Sequence, residues 1–319
     1  MGELTDQIVQ EKLLSYFSNE LNDPFITYKI QPTKLIGGQV TKIYKFQLNH
    51  VQDPLNIPLV IRIFPKIVQA AKKEGAVQNA LKEAGYPVAR VFKVCEETSI
   101  FGTEFMIMEF MPGKPLMSMP LNDMPEILAK LHVELHEVDP SPLMKQLGIP
   151  TNDTRYYSIC DSLEASINRY NRERLKPGLD WLNENRPKPE GPVICSGDFH
   201  PVNILYDQGS VSAVLDWGTF RFEDPAYDVC CTRMVGSVLA TVFYPTIEWQ
   251  EFVRRYYEQY LKRRLLDHGK VNFFDAVRLL KALNELDSGL KVWRTPSIEK
   301  KLIETFRDKT EVKLDSTLY

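Results

Sequence analysis

Apolar and polar positions alternate with a short period over the first third of the chain and with a helical period beyond it. The opening segment, MGELTDQIVQEKLLSYF, reads as an amphipathic helix interrupted throughout by charges. Residues 33–40 and 43–48 then read as strand, glycine turn and strand about Gly37-Gly38. Residues 58–64 are a third strand, stopped at Pro65, and residues 67–84 a helix closed by Gly85. Two more strands follow at 88–94 and 104–110. The order βββαββ predicts a small antiparallel sheet carrying one helix.

Met111-Pro112-Gly113-Lys114-Pro115 breaks this texture. Beyond it, residues 125–138, 156–175, 245–266 and 273–290 repeat with a helical period. Between them lie two short β-like runs, 204–206 and 213–215, joined by the turn Asp207-Gln208-Gly209-Ser210. The pattern predicts an α+β chain of two lobes. Residues 1–110 form a strand-rich N-terminal lobe and residues 111–319 a larger, mainly helical one, with a ligand expected between them.

Composition narrows the function. Of 319 residues, 44% are hydrophobic and 25% charged, which suits a folded chain and excludes disorder. The formal charge of −3 gives no pull toward nucleic acid or an anionic membrane, so neither is expected as a partner. Five cysteines without paired spacing supply no disulfide framework and no C-x-x-C metal pattern. The longest near-apolar run, 235–244, is too short to span a bilayer, no signal peptide is evident, and Asp6 defeats the myristoylation pattern. A cytoplasmic location is the expectation.

The densest polar cluster is Cys195-Ser196-Gly197-Asp198-Phe199-His200-Pro201-Val202-Asn203, followed by Leu215-Asp216-Trp217-Gly218. Gly197 and Pro201 tighten the loop that carries Asp198 and Asn203. A hairpin between the β-like runs would set Asn203 beside Asp216, and a carboxylate with an amide oxygen suits Mg²⁺. Asp198, one loop away, would receive the proton of an attacking hydroxyl, as phosphoryl transfer from Mg-ATP requires. Gly37-Gly38 would let backbone approach phosphates. Arg62 shares a strand face with Val60 and Phe64, where a charge is either solvated or reaching a buried anion.

D-x-x-x-x-N followed by D-x-G is the catalytic-loop and metal-loop pair of kinases. In the form S-G-D-F-H-P-V-N-I-L…V-L-D-W-G…D-P-A-Y-D it resembles the aminoglycoside phosphotransferase and choline kinase-like family. The resemblance implies a bilobal protein kinase-like fold with ATP between the lobes. It assigns Asp198 as catalytic base and Asn203 and Asp216 as Mg²⁺ ligands. His200 matches a supporting histidine of the loop, and Asp224 and Asp228 a buried pair that braces it. Arg62 falls where kinases carry the cation that grips ATP phosphates, and Glu74 fits its acidic partner. Residues 104–111 resemble the hinge, where the backbone of Glu109 and Met111 would bond adenine. Ser196 departs from the family's histidine at that position. The acceptor implied is a small-molecule hydroxyl; family members act on aminoglycosides, choline, homoserine, thio-sugars and macrolides. A cationic acceptor would draw on Asp161, Glu164, Glu285 and Asp287.

Two other readings compete: a catalytically silent nucleotide-binding protein, fed by Ser196 and Arg62, and a protein kinase. Against the latter, only five residues separate Gly218 from Asp224, too few for an extended-peptide platform. His132 and His136, four apart on one helix face, read as a partly buried pair rather than half a metal site. Cys230-Cys231 reads as core. Tyr156, Tyr157, Trp249 and Trp293 are aromatic candidates for an acceptor pocket, or core.

Overall fold

The computed structural model describes residues 5–35, 41–65, 69–119, 122–150, 159–188, 191–289 and 295–317. The chain divides into two compact units: Met1–Ser118 with Ile204–Gly218 (unit 1), and Met119–Asn203 with Thr219–Tyr319 (unit 2). The hairpin segment, expected with the C-terminal lobe, therefore packs within unit 1. Elements are numbered along the whole chain.

In unit 1, α1 (Asp6–Glu20) starts at Thr5, whose side chain accepts a hydrogen bond from the Ile8 N–H. Its Val9, Leu13 and Phe17, spaced by four, are buried in one apolar cluster with Phe46, Leu48, Ile61 and Phe105. Strands β1 (Thr27–Lys34), β2 (Lys42–Asn49), β3 (Leu59–Ile63), β4 (Val91–Cys95) and β5 (Phe105–Glu109) form an antiparallel sheet in the order β1-β2-β3-β5-β4. The central β3 buries Leu59, Val60, Ile61 and Ile63 and sets Arg62 opposite Ile43 and Met106. Helix α2 (Ala70–Glu83) receives its N-terminal cap from afar: the Glu104 carboxylate accepts from the N–H groups of Gln69 and Ala71. Gly85, at φ +81°, follows its last turn in the left-handed region. A second sheet joins β6 (Lys114–Pro115), β8 (Ile204–Asp207) and β9 (Ser210–Val214), with Ile204 paired to Val214.

Unit 2 contains α3 (Met124–Glu137), α4 (Ser141–Gln146), α5 (Ile159–Arg169) and α6 (Lys176–Glu184). A two-stranded ribbon of β7 (Val193–Cys195) and β10 (Arg221–Glu223) follows. Helix α7 (Pro225–Met234) runs through a π turn, Val235–Leu239, into α8 (Ala240–Phe243). Then come α9 (Trp249–Leu261), α10 (His268–Asp287) and α11 (Pro296–Thr310). Helix α10 is the hub: its Val277, Leu280 and Leu283 are fully buried in one cluster with Ile167, Leu179, Cys230 and Phe306. Pro225–Phe243 is, among the described residues, the one helix long and apolar enough to cross a membrane by length and composition, and 61% of its most apolar window is buried in the protein.

The helix expected over 156–175 is interrupted. Helix α5 stops at Arg169, Asn171 adopts φ +48°, and the Arg172 N–H closes back on the Ile167 carbonyl at 3.0 Å. Asparagine tolerates this left-handed position, so the polar Tyr170-Asn171-Arg172 run ends a helix that periodicity alone would continue. Residues 151–158, including Tyr156 and Tyr157, lie outside the described residues, as does Trp293.

The packing of α1 yields a direct expectation. Leu13→Ala removes a fully buried side chain and should cost about 2–5 kcal/mol in urea unfolding. Phe25, 77% exposed, should tolerate serine within about 0.5 kcal/mol.

Candidate active site

Unit 1 assembles a cation between two carboxylates. Arg62 on β3 donates through Nη1 to Glu74 on α2, and its Nη2 lies 3.2 Å from Oδ1 of Asp216. Glu74 is buried and also accepts the backbone N–H of Trp217. Trp217 is itself fully buried, donates Nε1 to the Val214 carbonyl at 3.1 Å, and meets Tyr86 edge-on. Val214 in turn donates its N–H to the Pro87 carbonyl at 2.7 Å. This chain of contacts fixes the loop that carries Asp216, whose own φ is +63° and whose carboxylate is half exposed. Burial pushes the Glu74 carboxyl up to about 7; the Arg62 charge pulls the other way but does not outweigh it, and Asp216 adds to the rise.

Unit 2 assembles the polar loop. Gly197 sits at φ +75°, and a Cβ there would stand 2.8 Å from the Thr219 carbonyl oxygen. Glycine is thus required twice over, by conformation and by space. The Asn203 Nδ2 donates to the Asp198 carboxylate at 3.0 Å and to its carbonyl at 3.1 Å. His200 Nε2 lies 3.3 Å from the other Asp198 oxygen. Burial alone would raise the Asp198 carboxyl. The His200 hydrogen bond and charge, with Arg278 and Asn203, outweigh it and hold the group below the ordinary aspartate range. Asp198 is therefore an ionised acceptor at neutral pH.

Beneath the loop lies a closed network centred on Asp228, on α7. One Asp228 oxygen accepts the Ser196 N–H, the other the Gly197 N–H, each at 2.7 Å. His132 Nε2 and His136 Nε2 meet the same carboxylate at 3.0 and 3.2 Å. Their Nδ1 atoms meet the hydroxyls of Tyr256 and Tyr260, both at 2.7 Å. All five side chains are buried. The protons balance with both histidines neutral: each Nε2–H donates to the ionised Asp228, and each tyrosine O–H donates to Nδ1. Two imidazoles and a carboxylate this close also form a conceivable metal cluster, but every polar atom already has a partner without a cation. Burial would raise Asp228, yet the histidines drive it well below the ordinary range. Burial, and then the neighbouring His132, push His136 down to about 4.

The sequence reading reached Asp228 as a brace and left the histidines as a partly buried pair. Their shared partner and the tyrosine pair were missed. The signal was present: histidines four apart on α3 and tyrosines four apart on α9 have matching helical repeats. Asp224, expected to brace the loop with Asp228, serves α7 instead. It caps Ala226 N–H at 2.9 Å and pairs with Lys270 at 2.8 Å. Glu109 closes β5 with its N–H on the Arg90 carbonyl and its carboxylate on Lys82, and Met111 follows, partly buried. Gly37 and Gly38 lie outside the described residues. Of the carboxylates considered for a cationic acceptor, Asp161 pairs with Arg186, Asp287 with Arg174, and Glu285 with Arg278 and Lys281. Trp249 is buried, edge-on to Phe252.

The residues fit Mg-ATP in kind. Asp216 offers a half-exposed carboxylate. Asn203 turns its nitrogen to Asp198, which leaves its oxygen for a cation. Among the described residues buried Arg62 Nε has no partner, so this guanidinium retains a donor for an anion.

The sheet-and-helix units with this polar constellation define the class of kinase-like phosphotransferases. The structure resembles aminoglycoside phosphotransferase APH(4)-Ia, with a TM-score of 0.64, 17% identity, and 94% of this chain and 97% of that one covered. It likewise resembles the ethanolamine kinase of Plasmodium vivax, with a TM-score of 0.63, 16% identity, and 97% and 93% covered. The chain belongs to the phosphotransferase enzyme family, which matches residues 34–274. Among curated proteins it is 28% identical over 247 residues to mouse acyl-CoA dehydrogenase family member 10, and 27% identical over 201 residues to the probable acyl-CoA dehydrogenase IBR3 of Arabidopsis thaliana. The matched region spans 22% and 23% of those proteins, so the chain corresponds to under a quarter of their length.

Two outcomes follow from the Asp228 network. Asp228→Asn should speed amide hydrogen exchange at Ser196 and Gly197 while leaving the β1–β5 sheet protected. For pH, the folded His136 binds its proton only near 4, whereas the unfolded chain binds it near 6.5. This histidine's contribution is therefore full above 6.5 and lost as pH falls toward 4. Denaturant midpoints of His136→Gln should depend less on pH across that window than those of the wild type.

Proposed function

We propose that this chain transfers the γ-phosphoryl group of Mg-ATP to a hydroxyl of a small molecule. The observation that carries the reading is the Asp198–Asn203 pair, hydrogen-bonded to one another on a loop whose backbone is fixed by Asp228. Asp198 accepts the acceptor's hydroxyl proton and aligns its oxygen for attack. Asn203 and Asp216 hold the metal, which when bound neutralises phosphate charge. Arg62 grips the phosphates, with Glu74 keeping the guanidinium in place. At the hinge the Glu109 N–H is already committed to Arg90, so adenine is left the Glu109 carbonyl and the Met111 N–H. Gly37-Gly38 completes the phosphate side.

Adenine nucleotide is supported by the complexes of APH(4)-Ia with ADP and with AMP-PNP, each also containing hygromycin B. The structural neighbours differ in acceptor, from hygromycin B to ethanolamine, so the fold leaves the acceptor open. The silent-protein reading is disfavoured because Asp198, Asn203 and Asp216 are all present, and the protein-kinase reading by the short segment from Gly218 to Asp224.

ADP release over a panel of hydroxyl compounds tests the reading. Asp198→Ala should lose transfer by at least about a hundredfold and still bind ATP, since its contact is with the acceptor. Asp216→Ala should lose the Mg²⁺ dependence of ATP binding, and Arg62→Lys should keep part of the activity that Arg62→Ala loses. Wild-type turnover in Asp198→Ala would end this assignment of the base.

A further inference from the structure

Two threonine hydroxyls close on the loop of Asp198 from either side, and the chemistry described so far gives a part to neither. Thr219 Oγ1 donates to the Ser196 carbonyl at 2.9 Å, and Thr232 Oγ1 to the Phe199 carbonyl at 2.7 Å. Thr232, on α7, is buried, as is Phe199. A threonine inside a helix ordinarily returns its hydroxyl to the carbonyl four residues back. Here that carbonyl, of Asp228, lies 3.5 Å away, and the nearer acceptor is in the loop. The Tyr256 hydroxyl also meets the Thr232 side chain, while its proton serves His132. The Phe199 ring is fixed as well: it stacks on His132, with centroids 4.1 Å apart.

Where these bonds fall matters more than their number. The peptide between Ser196 and Gly197 is held at both ends, its N–H by Asp228 and its carbonyl by Thr219. Held at both ends, a planar peptide has its orientation set. Without the carbonyl bond, rotation of this plane would be absorbed at Gly197, the residue of widest conformational freedom in the loop. On the far side of Asp198, its own carbonyl is held by Asn203 and that of Phe199 by Thr232. Asp198 thus hangs between two fixed peptides, with its carboxylate on Asn203 at 3.0 Å. Asp228 bonds the loop only at the N–H groups of Ser196 and Gly197, on one side of Asp198. The Ser196 carbonyl and the turn past Asp198 depend on other groups. An error of about 1 Å in the placement of a reacting group can cost about a hundredfold in rate, so such fixing has kinetic consequences.

We propose that Thr219 and Thr232 are positioning residues for phosphoryl transfer, whose hydroxyls set the direction of the Asp198 carboxylate by fixing the carbonyls on either side of it. The proposal rests on the phosphotransferase reading for the role of Asp198 and adds two groups that aim it. The hydroxyl is what each position requires, and the threonine methyl is not.

Thr219→Val and Thr232→Val remove the donor at nearly constant volume, and Thr219→Ser and Thr232→Ser keep it. Two measurements separate the aim of Asp198 from the chemistry. One is single-turnover release of labelled γ-phosphate from Mg-ATP, to an acceptor or to water, with ATP affinity alongside. The other is proton exchange of the Asn203 side-chain amide by NMR, which reads the Asp198–Asn203 bond without any turnover. Each valine variant should lower the rate at least about tenfold, with ATP affinity within about twofold of wild type. Exchange at Asn203 should quicken at least about threefold, and the serine variants should restore most of both. If Thr232→Val does not fold, Thr219→Val, at an exposed position, decides the matter alone. A folded valine variant with wild-type rate and wild-type exchange would overturn the inference, even if its thermal midpoint falls. Serine variants as impaired as the valine variants would also overturn it. Faster Asn203 exchange in the valine but not the serine variants, with no phosphate released by the wild-type protein, would uphold the aiming of Asp198 and sink the phosphotransferase reading instead.

Discussion

The Asp228 carboxylate accepts four hydrogen bonds inside unit 2, from the backbone of Ser196 and Gly197 and from His132 and His136. A buried charge of this kind is tolerable only when it is fully partnered, and each partner is itself held. The histidines are secured by Tyr256 and Tyr260, and Gly197 by its left-handed φ and the wall of Thr219. The result is a rigid peptide from Ser196 to Gly197 that leaves Asp198 little freedom. Positioning of that kind is most of what phosphoryl transfer asks of a protein, because the transition state requires alignment and charge compensation more than covalent help. Ser196 fits this arrangement. Its contact with Asp228 is made by the backbone N–H, which does not depend on the side chain at that position.

Unit 1 solves a related problem differently. Arg62 stands in a strand whose neighbours are buried on both sides, and it is kept there by Glu74 and Asp216. Glu74 takes the Trp217 N–H and so ties the Asp216 loop to the same cation. The positions of Arg62 and Asp216, proposed to grip phosphate and to hold the metal, are thereby coupled through one buried glutamate. The cost is a carboxyl that burial has pushed toward neutral pH, so the pairing is sensitive to whatever charge arrives beside it.

Much of this was legible in the sequence because it is local. Strands β2 to β5, helices α2, α3 and α10, and the hairpin of β8 and β9 follow from apolar spacing and from glycine and proline punctuation. The polar loop was legible because Asp198, Asn203 and Asp216 keep fixed spacings. What escaped depends on distant partners or on local stops. Helix α5 ends at an asparagine that periodicity does not register. Helices α4, α6 and α11, each with proline near its first turn, are not among the helices the periodicity predicts. The tyrosines of α9 meet the histidines of α3 across 124 positions of sequence, and no spacing rule announces such a pair. The carboxylates at Asp161, Glu285 and Asp287 looked available until their arginine and lysine partners were in place.

The central claim is that Asp228 governs catalysis by holding the loop that aims Asp198. Single-turnover transfer of labelled γ-phosphate by Asp228→Asn, to an acceptor or to water, tests it directly when paired with ATP affinity. The account predicts a rate at least about a hundredfold lower, with ATP affinity within about twofold of the wild type. A rate equal to wild type in a folded Asp228→Asn protein would contradict it.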